Sequence, residues 1–326
     1  MIQYESLPIR PPSEARSLLV RATRFCPWGR CIFCYGVLWN YRKLEMRSVD
    51  DIKQDILAMK AHADQITDGA VENDAEDRVE QAAIHQNVLW LTNEGVKKAF
   101  IGDSDSLIMK TDDLVEVLEF LYKTFPTLER VASYGRAKTA LRKSPESFSR
   151  LHDAGLSRLH LGLETGDDEL LKYIDKGATS VEMIEAGKKI KDSGISLSEY
   201  VLLGIGGEDR WKQHAEGTAR VLNAVDPNFI RARTLIVVPG TPLYDKVEAG
   251  EFKRLSPEGI IREERLLIEN LEVTSEFISD HSSNYLPLDG KFPEAKEQML
   301  ELIDKFLEAP PELRNRYLQP EGLRHP

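Results

Sequence analysis

Short apolar, β-rich runs alternate along this chain with amphipathic stretches whose apolar positions recur at helical spacing. The first apolar run, residues 18–25, stops at the segment CPWGRCIFC. A helix is predicted from Val49, with Ser48 capping it, Asp51 at the third position, and Ile52, Ile56 and Met59 sharing a face. Residues 65–80 are polar and acidic and read as a loop or exposed insertion. A further helix to about residue 92 precedes a strand at 96–101, which ends in Gly102-Asp103-Ser104-Asp105. Leu114, Val117, Leu118 and Leu121 mark a helix over 114–122, followed by a strand at 130–134. Ser144-Pro145 opens the next helix and Gly155 closes it. The strand at 158–163 ends in Glu164-Thr165-Gly166. A Thr179–Glu182 capping box then starts a helix that Gly194 stops. The strand at 197–203 ends in Gly204-Ile205-Gly206-Gly207, and a helix at 214–225 leads to a strand at 229–237 that Pro239-Gly240 terminates.

About six βα units in succession predict an α/β fold with a parallel sheet. Six units fall short of a closed eight-fold barrel, so the expected architecture is a partial (β/α)6 TIM-type barrel. Beyond about residue 241 the pattern changes to helices at 263–269 and 293–307 around an extended segment at 273–279. The expected division is an N-terminal extension at 1–16, a barrel core at 17–240 and a C-terminal appendage at 241–326 packed on that core.

Composition narrows the function classes. With 43 Lys and Arg against 54 Asp and Glu, the 326-residue chain carries a formal net charge of −11, which disfavours wholesale binding to a phosphate backbone. No apolar run approaches a membrane span and no signal-peptide core is visible, so the expected location is cytoplasmic. All three cysteines, Cys26, Cys31 and Cys34, lie in CPWGRCIFC, which is no disulfide framework. Three thiolates in a loop after a strand suggest a metal or cluster site one ligand short, at the sheet edge where parallel α/β folds build active sites. Structural zinc wants four ligands, and the nearest downstream histidine, His62, lies late in the following helix. An iron–sulfur electron carrier would ligate all four irons. A [4Fe–4S] cluster on three cysteines leaves one iron open for another ligand.

The cysteine loop resembles that of the radical S-adenosylmethionine (SAM) superfamily, whose usual signature is Cys-x3-Cys-x-aromatic-Cys. Here Phe33 stands at the aromatic place, and four residues rather than three separate Cys26 from Cys31, a Cys-x4-Cys-x2-Cys variant. The resemblance covers roughly the first three-quarters of the chain. Its core is similar to the elongator- and methylthiotransferase-type branch, and the coproporphyrinogen oxidase-like branch shares the layout. It implies an oxygen-sensitive enzyme with a [4Fe–4S] cluster and SAM, fed by a reductant such as flavodoxin or ferredoxin. In such enzymes SAM is cleaved to a 5′-deoxyadenosyl radical that abstracts hydrogen from substrate. Carried over by position, Gly102, Asp103, Ser104 and Asp105 would hold the SAM amine and Glu164 the ribose hydroxyls. The Gly204–Gly206 turn and Val237 would lie against adenine. On the residues alone, GDSD is also what a solvated turn contains, and Glu164 could instead cap a helix.

Further polar residues are candidates for substrate. Arg136 or Lys138, after the third strand, could pair with an anion. Glu199 on the fifth strand points opposite to its neighbours Ser198 and Tyr200. Arg231 and Arg233 share a face on the sixth, and two buried cations need a partner, which Glu199 or an acidic group of the substrate could supply. His281 and Asn284 lie in a polar segment suited to closing the open side of a partial barrel. The catalytic residue is not legible, and a small molecule is favoured over nucleic acid as substrate.

Overall fold

Burial of the alternating apolar runs beneath amphipathic helices organises the chain into two compact units, each assembled from separate stretches of sequence. The computed structural model describes residues 4–5, 10–36, 43–69 and 75–317. The first unit comprises Met1–Pro27, Arg42–His160 and Asp192–Ile195; the second comprises Trp28–Tyr41, Leu161–Lys191 and Ser196–Pro326.

In the first unit, β1 (Leu18–Arg21) pairs in parallel with β4 (Lys98–Gly102), and β4 with β5 (Arg130–Gly135). A small antiparallel ribbon joins β2 (Thr23–Arg24) to β3 (Glu45–Met46). The helices are α1 (Val49–Asp68), α2 (Ala75–His85), α3 (Thr111–Thr124), α4 (Ala137–Arg142) and α5 (Pro145–Asp153). Ser48 and Ser144 cap α1 and α5 by accepting from Asp51 N and Ser147 N. Ile52, Ile56 and Met59 of α1 and Leu114, Val117, Leu118 and Leu121 of α3 are fully buried. Glu14 is a fully buried carboxylate, accepting from Arg130 at 2.7 Å and from Ser17 Oγ at 2.5 Å.

Strand β6 (Leu156–Glu164) contributes its first residues to the first unit and its last to the second. In the second unit, β7 (Ser196–Leu203), β8 (Phe229–Thr234) and β9 (Glu276–Ser279) run parallel, and β10 (Leu288–Lys291) closes antiparallel on β9. Its helices are α6 (Asp168–Tyr173), α7 (Ser180–Asp192), α8 (Gly207–Val225), α9 (Pro242–Glu248), α10 (Pro257–Glu269), α11 (Lys296–Glu308) and α12 (Pro311–Tyr317). The capping box of α7 is present: Thr179 N donates to Glu182 Oε2 at 2.9 Å and Glu182 N to Thr179 Oγ1 at 3.3 Å.

The fold class is the expected one, α/β with mostly parallel strands. Several boundaries differ. The stretch read as a loop at 65–80 is helical at both ends, in α1 and α2, with residues 70–74 outside the described set. Ile66 and Val79 continue buried faces that the acidic composition hides. Helix α8 begins seven residues before His214, directly from the glycine turn, and α10 begins at Pro257 with Ser256 as its cap. Strand β8 stops at Thr234, whose N–H is taken by Asn284 Oδ1 at 2.7 Å. No helix among the described residues is long and apolar enough to cross a membrane.

Candidate active site

The approach to the cysteine loop is set by strain and its compensation. Phe25, the residue before Cys26, has φ 66°, a left-handed backbone that costs a side-chain-bearing residue about 1–2 kcal/mol. Two side chains from the end of β4 hold it there. Asp103 Oδ2 accepts from Phe25 N at 3.2 Å, and Ser104 Oγ donates to Phe25 O at 3.0 Å. Asp103 is itself fixed: its N–H donates to Thr23 Oγ1 at 3.2 Å and its carboxylate pairs with Arg21 at 3.2 Å. It is 1% exposed, and burial raises its pKa, with the Phe25 N–H and the Arg21 charge opposing. Gly102 accepts from Ala22 N at the same edge. Asp105 is fully buried, accepts from Thr139 Oγ1 at 2.6 Å, and is pushed up to about 6 by burial. Thus the side chains of Asp103, Ser104 and Asp105 all bond to protein groups. That clamp escaped sequence reasoning, because Phe25 and Asp103 are 78 residues apart. Arg136 caps α4 without a side-chain bond to its first turn, and Lys138 lies on that helix. Both are partly buried.

In the second unit the rest of the loop is strapped to the turn after α6. Trp28 Nε1 donates to Asp175 O at 2.6 Å, Arg30 pairs with Asp175 at 2.9 Å, and the Arg30 guanidinium sits 4.8 Å over the Trp28 ring. Gly177, at φ 74°, leaves room for the indole: a Cβ there would fall 2.5 Å from Trp28. Cys34 N donates to Cys31 O at 3.1 Å, and Ile32 N to Ile174 O at 3.1 Å. Ile32, Phe33, Leu202 and Val237 pack on one apolar cluster containing Ile174, Ile205, Leu235 and Phe252. The residues expected at the aromatic place and beside adenine therefore share a surface.

Glu164 ends β6 with φ 62°, and its Oε1 accepts from Lys176 at 2.8 Å. It does not cap α6, a role Asp167 fills by accepting from Glu169 N. The turn behind Glu164 is gripped by α8. Thr218 Oγ1 accepts from Gly166 N at 3.0 Å, Thr165 Oγ1 lies 2.8 Å from His214 Nδ1, and Arg210 pairs with Asp167 at 2.7 Å. The turn at Gly204, φ 84°, is held from α10, where Glu263 Oε1 accepts from Gly204 N at 2.6 Å. Glu263 is buried and its pKa lies well above the usual carboxylate range, while burial lowers His214 to about 4. The two lie 3.6 Å apart, and burial disfavours the charged form of each. Gly206 leads into α8, and a Cβ there would meet Arg210 at 2.9 Å.

Glu199 is 2% exposed and is pushed up to about 8, mainly by burial, with Lys176 opposing and Glu164 reinforcing. It makes no ion pair with Arg231 or Arg233 among the described residues. Arg233 donates to His281 Nε2 at 2.6 Å and lies 5.8 Å over the Tyr200 ring. Burial and the Arg233 charge lower His281 to about 4. Asn284 has its whole amide engaged: Oδ1 accepts from Thr234 N and Oγ1, and Nδ2 donates to Ala232 O and Ser279 Oγ.

No group of three or more His, Cys, Asp or Glu side chains stands ready for a metal ion among the described residues. The donor set nevertheless fits an iron–sulfur cluster in kind. Three half-buried thiols, none in a disulfide, are soft ligands and leave one coordination position unfilled.

Comparison with known proteins gives the following. The profile described as the Radical SAM superfamily matches residues 20–222. A tRNA uridine(34) acetyltransferase of Methanocaldococcus jannaschii is 26% identical over 118 residues, covering 36% of this chain and 22% of that protein. The heme chaperone HemW of Bacillus subtilis is 20% identical over 48% of this chain and 41% of its own length. The chain thus spans well under half the length of either relative. Among solved structures, archaeal Elp3 of Methanocaldococcus infernus with its N-terminus deleted superposes with a TM-score of 0.52. That match has 15% identity and covers 89% of this chain and 63% of that one, which is a likeness of fold.

Proposed function

Because this chain belongs to the radical SAM superfamily, whose enzymes use a [4Fe–4S] cluster and SAM, we propose that Cys26, Cys31 and Cys34 hold the cluster and that the strand-end turns hold SAM. When bound, the cluster supplies the electron that cleaves SAM to methionine and a 5′-deoxyadenosyl radical, which takes a hydrogen atom from substrate. The chain's own work is placement. Asp103 and Ser104 fix the backbone entering the cysteine loop, and carbonyls of the Gly102–Asp105 segment receive the SAM amine. Glu164 accepts from the ribose hydroxyls while Lys176 orients its carboxylate. Gly204 and Gly206 give adenine a backbone surface, and Phe33 and Val237 exclude water beside it.

The observation that carries this reading is where backbone strain falls. Two of the few non-glycine residues with positive φ, Phe25 and Glu164, stand at the cysteine loop and at the proposed ribose carboxylate, and side chains from elsewhere hold the adjoining turns. The substrate is a small molecule, because a net charge of −11 opposes a polyanion. The electron comes from a reductant of the flavodoxin or ferredoxin type.

The test is anaerobic reconstitution with iron and sulfide, then dithionite reduction in the presence of SAM, with 5′-deoxyadenosine quantified for wild type and Cys31→Ala. Release by wild type and background levels from the variant are expected. A loaded cluster with no release, or zinc bound in place of iron, would sink the reading.

A further inference from the structure

Strand β8 carries two guanidinium groups on one face, Arg231 three residues and Arg233 one residue before its C-terminal end at Thr234. Both side chains are partly buried. Burying a cation is costly unless an anion or a set of acceptors compensates it. Arg231 donates from Nε to Ser198 Oγ at 3.2 Å and lies 5.6 Å over the Phe229 ring. Among the described residues Arg233 has only the neutral His281 ring and the face of Tyr200. Neither forms an ion pair with a carboxylate among the described residues. The carboxylates on the two flanking strands do not serve. Glu276 stands opposite Phe229 on β9, on the Arg231 face, without pairing, and Glu199 on β7 points to the opposite face.

The neighbours preserve donor capacity rather than neutralise it. An arginine donor makes His281 Nε2 the acceptor, which uses one N–H of the Arg233 fork and leaves the others. The His281 loop is itself pinned to the end of β8 by Asn284, so this side of the site is built and not merely adjacent. Aromatic faces under each guanidinium orient the forks while taking up no hydrogen-bonding positions. Planar forks of this kind match oxyanions bidentately.

We infer that Arg231 and Arg233, ordered by Ser198, Tyr200 and His281, form a receptor for an oxyanion group of the substrate. The substrate class is thereby narrowed to small molecules bearing a carboxylate or phosphate. The assignment rests on the radical enzyme reading for its catalytic meaning, but the anion site itself can be examined on the protein without cofactors.

The experiment is phenylglyoxal labelling of the wild-type protein, with mass spectrometry following each arginine. Inorganic phosphate, succinate, SAM and sodium chloride at matched ionic strength are added in turn. Phosphate or succinate is expected to slow labelling of Arg231 and Arg233 saturably, by about tenfold at ten times its dissociation constant. Exposed Arg30 should be unaffected and serves as the control. Which of the two anions protects distinguishes a phosphate from a carboxylate substrate. Equal protection by chloride, no protection by either oxyanion, or protection by SAM alone would overturn the inference, the last by assigning the pair to the cosubstrate. Protection without 5′-deoxyadenosine release from reconstituted enzyme would support the anion site and sink the radical reading. Release without protection would sink the anion site alone.

Discussion

Glu199 shows how far burial can move one side chain. Its carboxyl lies inside the second unit with Oε2 lacking a hydrogen-bond partner, and burial holds its pKa near 8 against a usual value of 4.5. A folded-state pKa raised above the unfolded one means that the native state binds the extra proton between those values. Stability therefore falls as pH rises from about 4.5 towards 8, by at most about 1.4 kcal/mol per pH unit, and the loss is complete above that window. Glu199→Gln keeps the shape and abolishes the titration. The variant is expected to match wild type near pH 5 and to exceed it progressively towards pH 8 in urea melts. A constant difference across that range would mean that Glu199 does not titrate there. The same scale applies to Asp103, a residue expected beside the SAM amine, whose carboxylate accepts from Phe25 N and pairs with Arg21.

At the scale of elements, the decisive contact is that of α8 with the turn after β6. Gly166 and Gly217 let the two backbones touch. A Cβ on Gly166 would run into Gly217 O, lie 2.5 Å from Gly217 C and 2.8 Å from Thr218 Cα, and these are backbone atoms that cannot swing away. Gly166→Ala is expected to cost about 3 kcal/mol, at the upper end for overpacking, measured by urea denaturation. A cost below about 0.5 kcal/mol, the level of neutral surface changes, would show that the turn is loosely held. The glycines of the fifth strand end work differently. Gly204 takes a left-handed backbone whose N–H is given to Glu263, so its role is conformational as well as steric. Both turns were readable as motifs from their residues. Their supports, His214, Thr218 and Glu263, were not, since each comes from a helix face 49 to 59 residues away.

For the whole molecule, the surplus of 54 acidic over 43 basic residues predicts weak association with polyanions. Filter binding to a mixed tRNA pool at physiological salt is expected to give a dissociation constant weaker than about 100 µM, the weak limit of non-specific binding. Tight, salt-dependent retention would instead favour a tRNA substrate. The amino-acid sequence by itself determined the α/β class, the order of strands and helices, the helix caps at Ser48, Ser144 and Thr179, and the family, because periodicity, capping and motif spacing are local properties. It misread residues 65–68 and 75–80, where exposed acidic side chains lie on the outer faces of α1 and α2. Only the tertiary structure decided that Glu14 pairs with Arg130 across 116 residues and that Asp103 braces Phe25. It also left the partly buried Arg231 and Arg233 without a paired carboxylate among the described residues. Charge compensation in a buried layer depends on which distant side chains arrive there, and chain order does not encode that.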